Sequence, residues 1–457
     1  MTLGYYFINP KWRWLLMLAA SCYFYAFLIP AYLLVLFLII LIDYSAGILI
    51  ESANKKRKKI YLGLSILTNL TALAVFKYHN FFVENLNLVS GYFLNHSQLL
   101  SVWKLALPVG LSFHTFQGMS YTIEVYRGNH KAERAFGIYA LYVMFYPQLV
   151  AGPIERPQKL LPQLHKKHQI NYDAIAAGLK WMLWGYFMKV VVADRLGIYV
   201  DYVYRDVNVH SRLALLTAVF FYSFQIYCDF AGYTLIALGA AKVLGIELSP
   251  NFKHPYLARS MRIFWQRWNI TLSQWFRDYL YFPMGGSRVA MSKYVFNILV
   301  VFILSGLWHG ANWTFIVWGL LHGLFLLFEY FRRKRFPGFI LPRFVDIIFT
   351  FLLVSFAWIF FRASNIDEAF IVLKRIFNPH TEGFISGEFD ERALLVYSAL
   401  GLIFVAGNDI ISEYFPRRMQ FLHNPGTGIR ITTCVCLVLI IMLFGVFDGS
   451  QFIYFQF

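Results

Sequence analysis

Apolar runs recur from one end of this chain to the other, and several approach or exceed the roughly 20 residues that a helix needs to cross hydrocarbon. They lie at about 12–29, 31–50, 60–77, 103–124, 136–151, 174–204, 213–246, 294–331, 345–361, 392–412 and 430–448. Two of them, 213–246 and 294–331, are too long for one crossing of about 30 Å at 1.5 Å per residue. Each is therefore expected to hold two helices, or one helix and a re-entrant piece. The sum is about ten to twelve crossings, which predicts an all-α, polytopic membrane bundle. Only 14% of the 457 residues are charged, against about 25% in soluble proteins. Neither a repeat of fixed period nor a low-complexity linker interrupts the pattern, so a single membrane-embedded domain spanning 1–457 is the simplest organisation.

The formal charge of +17 is concentrated between the apolar runs, as Lys55-Lys56-Arg57-Lys58-Lys59, Lys166-Lys167 and Arg332-Arg333-Lys334-Arg335. Basic clusters flanking spans are a topological signal, and they meet anionic lipid on the cytoplasmic side. Membrane lipid is thus the expected partner, with no nucleic acid. The Lys55–Lys59 cluster is placed in the cytoplasm. If 12–29 and 31–50 both cross, the N-terminus lies there too. No cleavable signal is read, because the first run lacks a small-residue cleavage site and passes into a second span. Cys22, Cys228, Cys434 and Cys436 sit in apolar runs without a CxxC pair, so neither a metal site nor a disulfide framework is expected.

The segment 251–293 differs from its surroundings. It is rich in Arg and Trp, has no clean apolar stretch, and alternates Trp265 and Trp268 with Arg262, Gln266 and Asn269. Irregular backbone at membrane depth must be buried in protein or line a wet cavity. A segment dipping into the bundle to line a site fits this pattern better than a surface loop or an interfacial amphipathic helix.

Ionisable groups inside apolar runs are costly and mark function by default. The sharpest case is His309, in Ser305-Gly306-Leu307-Trp308-His309-Gly310-Ala311-Asn312-Trp313. Gly306 with Gly310, and Gly319 with Gly323, form two GxxxG pairs whose small residues let helices approach closely. An imidazole there can act as a general base near neutral pH. It can equally be a neutral packing residue bonded to a carbonyl. His322 would face another side of an unbroken helix and reads as packing or gating. Asp229 reads as an acid that pairs with a base or hydroxyl inside the bundle. His114 and Glu124 read as structural. No Walker-type loop, HExxH or GxSxG motif is present.

Several blocks together carry a resemblance. They are SFHTFQGMSYTIEVYRG (112–128), YPQLVAGPIERP (146–157), FQIYCDFAGY (224–233), NFKHPYLARSMRIFWQRWNITLSQWFRDYLYFPMGG (251–286), GLWHGANWTFIVWGLLHG (306–323), WIFFRA (358–363) and the ending GSQFIYFQF (449–457). The chain resembles the membrane-bound O-acyltransferases, in the bacterial branch of alginate and peptidoglycan O-acetylases and their D-alanyl-transferring relatives. The likeness implies a ring of helices around a thin centre where a tunnel meets both membrane faces. It also implies 251–323 as the catalytic core segment and His309 as the catalytic histidine. Two departures stand out. Asn269 occupies a place where that branch usually carries a second histidine, and Thr234-Leu235 replaces a common Ser-Asp pair. An asparagine cannot titrate near pH 7, but its amide can polarise a carbonyl.

The reaction so implied is direct acyl transfer, most simply of acetyl, in a bacterial inner membrane. No bound cofactor or metal is expected. The donor is an acyl thioester, acetyl-CoA or an acyl carrier, and the acceptor is a hydroxyl on an extracytoplasmic polysaccharide or on an intermediate passed on by an esterase-like partner protein. Trp265, Trp268, Arg267, Ser305, Trp308, Asn312, His322 and Asp229 are the expected supporting or substrate-binding residues around His309 and Asn269. D-alanyl or lipid O-acylation is the nearest alternative. A covalent acyl-enzyme on Ser305 or Cys228 ranks below direct transfer, since neither has a base beside it in sequence. A transporter or flippase, and a scaffold for a partner enzyme, are the competing classes.

Overall fold

The computed structural model describes residues 2–28, 30–94, 99–103, 105–338, 341–378, 391–415, 427–447 and 452–453. The described residues form helices joined by turns and loops, with no strand among them. Eight helices among them are long and apolar enough to cross a membrane: Pro30–Ser52, Lys55–Phe93, Tyr172–Arg205, Arg212–Val243, Met291–His309, Trp313–Arg335, Arg343–Arg362 and Ala393–Tyr414. Gly428–Phe444 is a shorter apolar helix. The chain is therefore an all-α, multi-pass membrane protein. It forms two compact units, Met1–Gly178 with Ala237–Ser249, and Leu179–Ile236 with Pro250–Phe457. Of the 449–457 ending, only 452–453 lie within the described residues.

Among the described residues, some apolar runs do not hold a helix of membrane-spanning length. The 103–124 run contains only the helix Leu111–Arg127, which is buried along nearly its whole length. The 136–151 run contains the nine-residue helix Phe136–Met144 followed by a turn. At 1.5 Å per residue that helix is roughly 13 Å long, too short to cross. These residues face protein rather than lipid, and a hydropathy pattern alone does not separate the two environments.

The two over-long runs resolve differently. The 213–246 run is one continuous helix, Arg212–Val243, rather than two elements. Buried positions make up 72% of its most apolar window, so its length is set by protein packing and not by the bilayer. The 294–331 run does divide, into Met291–His309 and Trp313–Arg335, an antiparallel hairpin turning at 310–312. Two glycines fix its crossing. A Cβ on Gly306 would strike the carbonyl of Phe315, and one on Gly319 would strike the carbonyl of Phe302. The two glycines also face each other, a Cβ on Gly306 falling 3.5 Å from the Gly319 Cα. The pairing thus runs between the two GxxxG motifs, each helix supplying one glycine to the contact.

Polar contacts lock the spans of the first unit. Asp43 accepts hydrogen bonds from Ser65 Oγ at 2.6 Å and Asn69 Nδ2 at 3.0 Å, all three buried. Glu155, in the 146–157 block, is buried and accepts from the Ser249 backbone N–H and from Ser249 Oγ at 3.1 Å. Burial pushes its carboxyl above the usual range, while Lys159 at 4.0 Å pulls it back down.

Because backbone lies opposite both glycines, neither side can yield. Gly319→Val and Gly306→Val are expected to destabilise the hairpin by about 1–3 kcal/mol or more, as overpacked cores do. Thermal unfolding in detergent should show a lower midpoint for both, whereas Gly338→Val, where nothing lies near the added Cβ, should leave it unchanged. An unaltered midpoint for Gly319→Val would show that the crossing is not set by this contact.

Candidate active site

His309 is the last residue of the Met291–His309 helix. The helix stops there because the next helix has its own strong start. Asn312 Oδ1 accepts from the Thr314 N–H at 3.0 Å, capping Trp313–Arg335, and Asn312 Nδ2 donates to the Ser364 carbonyl at 2.9 Å. Capping by Asn satisfies an N–H that the first helical turn leaves open. Asn312 is thus the residue that breaks the run and leaves His309 at a helix end.

The imidazole of His309 is 4% exposed. Three aromatic rings stand edge-on to it: Trp308 at 5.0 Å, Trp318 at 5.0 Å and Phe361 at 5.3 Å between centroids. Trp318 in turn stacks on Trp358 at 5.7 Å, and Trp358 meets Trp268 at 5.1 Å. A continuous set of ring contacts therefore links the 251–286 segment to His309. Ser305 is buried one turn before His309 on the same helix.

The turn at 310–312 also changes the place of His322. Spacing along an unbroken helix puts it on a different face from His309. With the chain reversed, both rings lie against Trp318, His322 at 4.8 Å. His322 is fully buried, parallel to Phe264 at 6.1 Å and edge-on to Trp265 at 5.0 Å. Neither of its ring nitrogens has a hydrogen-bond partner. Its ring lies within the aromatic layer.

Within the 251–293 segment, much of the 251–276 part is buried in the interior. The segment consists of short helical pieces, Pro255–Leu257, Met261–Trp265, Ile270–Phe276 and Arg277–Tyr281, with Phe264, Trp268, Asn269 and Leu272 buried. Asn269 sits at φ 40°, ψ 57°, in the left-handed region. Asn, Asp and His tolerate that region better than other non-glycine residues. Flanking bonds hold it there: Ile270 N–H donates to the Asn251 carbonyl at 3.0 Å, and Thr271 Oγ1 donates to Asn251 Oδ1 at 2.6 Å. The Asn269 side chain is 1% exposed, and neither amide atom has a hydrogen-bond partner. A buried amide left so is unusual and calls for a role.

Charged pairs pin the segment from outside. Arg267 bridges Glu413 at 2.7 Å and donates to the His254 carbonyl at 3.4 Å. His254, itself at φ 45°, lies 2.9 Å from Asp409, whose other oxygen accepts from Tyr227 Oη at 2.8 Å. Asp229 pairs with Lys189 at 2.7 Å and accepts from the Ile453 N–H at 2.8 Å. Arg267 and Asp229 are both held in ion pairs. Asn251, His254, Asp409, Glu413, Trp358 and Phe361 escape motif reasoning as site residues. Trp358 and Phe361 fall in the WIFFRA block, the one signal that could have found them.

The left-handed geometry at Asn269 separates backbone from side chain. Asn269→Gly keeps the conformation, whereas Asn269→Val is strained there by about 1–3 kcal/mol. Melting curves in detergent should therefore fall for the valine variant and stay near wild type for glycine. Equal behaviour of the two would show that the backbone at 269 carries no strain.

The family model of the membrane-bound O-acyltransferases matches residues 135–366. The chain is 33% identical to a peptidoglycan O-acetyltransferase of Helicobacter pylori, over 100% of this chain and 94% of that protein. It is 36% identical to a protein of Azotobacter vinelandii described as a probable alginate O-acetylase, over 82% of this chain and 75% of that one. A teichoic acid D-alanyltransferase of Bacillus subtilis is 27% identical over 56% of this chain and 69% of its own length.

Proposed function

Because the chain belongs to the membrane-bound O-acyltransferase family and so is a membrane O-acyltransferase acting with an acyl donor, we propose that it O-acetylates an extracytoplasmic polysaccharide, with His309 as the general base. The donor is a thioester, acetyl-CoA or an acetylated carrier, reaching the site from the cytoplasm across a bacterial inner membrane. The acceptor is a sugar hydroxyl of a glycan such as peptidoglycan or alginate, or of an intermediate handed to an esterase-like partner. Acetyl is favoured over D-alanyl because the two O-acetylating relatives match over more of the chain and at higher identity.

The observation that carries this reading is the placement of His309. A helix ends on it inside a buried aromatic layer, where the imidazole can take a proton from an acceptor hydroxyl. His309 takes the proton of the acceptor hydroxyl as its oxygen attacks the thioester carbonyl. A C–O bond forms and the C–S bond breaks. The leaving thiolate then receives the proton from the imidazolium. Asn269, with a buried amide that makes no other bond, donates to the carbonyl oxygen as negative charge develops on it. Trp308, Trp318 and Phe361 hold the imidazole, with Trp265 packed behind Trp318 and Trp268 behind Trp358. Arg267, Asn312 and Asp229 hold the elements that carry these groups.

The test is transfer of radiolabelled acetyl from acetyl-CoA to purified glycans by the detergent-solubilised protein. His309→Ala should lower turnover by about 10²–10⁴-fold, the range for loss of a general base. Asn269→Gly should lower kcat by about 10²–10³-fold with little change in KM, as for a lost oxyanion donor. Wild-type turnover by folded His309→Ala protein would overturn the assignment. Solute passage without any ester product would instead indicate a transporter.

A further inference from the structure

The pair Lys166-Lys167 reads in sequence as a topological signal alone, but in the folded first unit it lines a concave site. A cavity of about 270 Å³ is bounded by Lys11, Arg13, Lys166 and Lys167, with Tyr5 and Trp14 among its other walls. No carboxylate lines it. The adjacent acid, Glu133, is committed to His165 at 2.7 Å. Four cations therefore converge on one hollow with no acid in its lining. A concave, low-dielectric wall of one sign focuses potential and raises the local concentration of counter-ions.

Arg13 is the fixed element of this site. Its guanidinium donates to the His168 carbonyl at 2.5 Å and to the Tyr6 carbonyl at 3.3 Å, and lies over the Tyr5 ring at 5.0 Å. Its Nε is buried and has no hydrogen-bond partner. A guanidinium held in one orientation by these contacts is preorganised to present its remaining terminal N–H groups to a phosphoryl oxygen. The exposed amines of Lys11, Lys166 and Lys167 supply mobile point charges around it.

The sidedness follows from the chain path. The helix Arg13–Leu28 leads away from this end, and Pro30–Ser52 returns to it, ending beside Lys55–Lys59. Arg134, in the loop that precedes cavity-lining Ala135, pairs with Glu51 at that same end. The cavity therefore opens on the face of the Lys55–Lys59 cluster, which the positive-inside rule places in the cytoplasm.

We propose that this cavity binds a phosphate ester at the cytoplasmic face, gripped by Arg13, Lys11, Lys166 and Lys167. Two sources present that chemistry, an anionic phospholipid headgroup and a nucleotide such as coenzyme A. The site does not depend on the acyl-transfer chemistry assigned to His309.

The test uses the full-length protein in neutral detergent, titrated separately with free coenzyme A, phosphatidylglycerol and phosphatidylcholine. Binding is read by native mass spectrometry and by the rise in unfolding temperature. Lys11→Gln/Lys166→Gln/Lys167→Gln alters only exposed side chains. Lys55→Gln/Lys56→Gln/Lys58→Gln removes the same charge from the neighbouring cluster. Wild type and the Lys55 set should bind coenzyme A or phosphatidylglycerol alike, and the pocket set at least about tenfold more weakly. Preference for coenzyme A identifies a nucleotide site, and preference for phosphatidylglycerol a headgroup site. Equal weakening by both sets, no weakening by the pocket set, or binding of neither anionic probe would overturn the proposal.

Discussion

The close crossing of two helices at Gly306 and Gly319 is the contact from which the architecture around His309 follows. The turn at 310–312 makes Met291–His309 and Trp313–Arg335 antiparallel, and the two glycines let them lie backbone against backbone. In a membrane there is little hydrophobic drive to bring helices together, so such packing supplies the association. With the hairpin closed, Trp318 is held against His309 on one side and His322 on the other. Trp358 and Phe361, from Arg343–Arg362, then complete the layer. The histidine is precise because its neighbours are large, rigid and buried.

Much of this was legible in the chain. Span lengths, basic flanks and the GxxxG motifs are local signals, and they identify a multi-pass helical protein and single out His309. The division of 294–331 was legible from length alone. The same reasoning fails for 213–246, because a helix sheathed by protein is not bounded by bilayer thickness. In 136–151 the helix is only nine residues long, and its apolar residues are largely buried. Hydropathy reports burial, and burial in protein and burial in lipid look alike in one dimension.

The supporting shell was less legible than the histidine. Asp409 and Glu413, on one helix, meet His254 and Arg267 from more than 100 residues away in sequence, and no spacing rule connects the two sets. Asn312, an expected supporting residue, caps a helix. Its effect on His309 is indirect, since the cap determines where the preceding helix ends. Asn269 was visible as a departure from a related pattern, but its left-handed backbone and bondless amide appear only in three dimensions. The difference is physical. Motifs record which groups are present, while hydrogen-bond satisfaction depends on what surrounds them.

The central claim is that one imidazole at a helix end stands where a thioester and an acceptor hydroxyl meet. The most direct measurement is an experimental structure of the protein with a non-transferable acetyl-CoA analogue and a short glycan acceptor. The expected result is an acceptor oxygen within about 3 Å of a His309 ring nitrogen, and the analogue's carbonyl carbon about 3–3.5 Å from that same oxygen. Donor and acceptor bound together elsewhere, with His309 still enclosed by Trp308, Trp318 and Phe361 and touching neither, would contradict it.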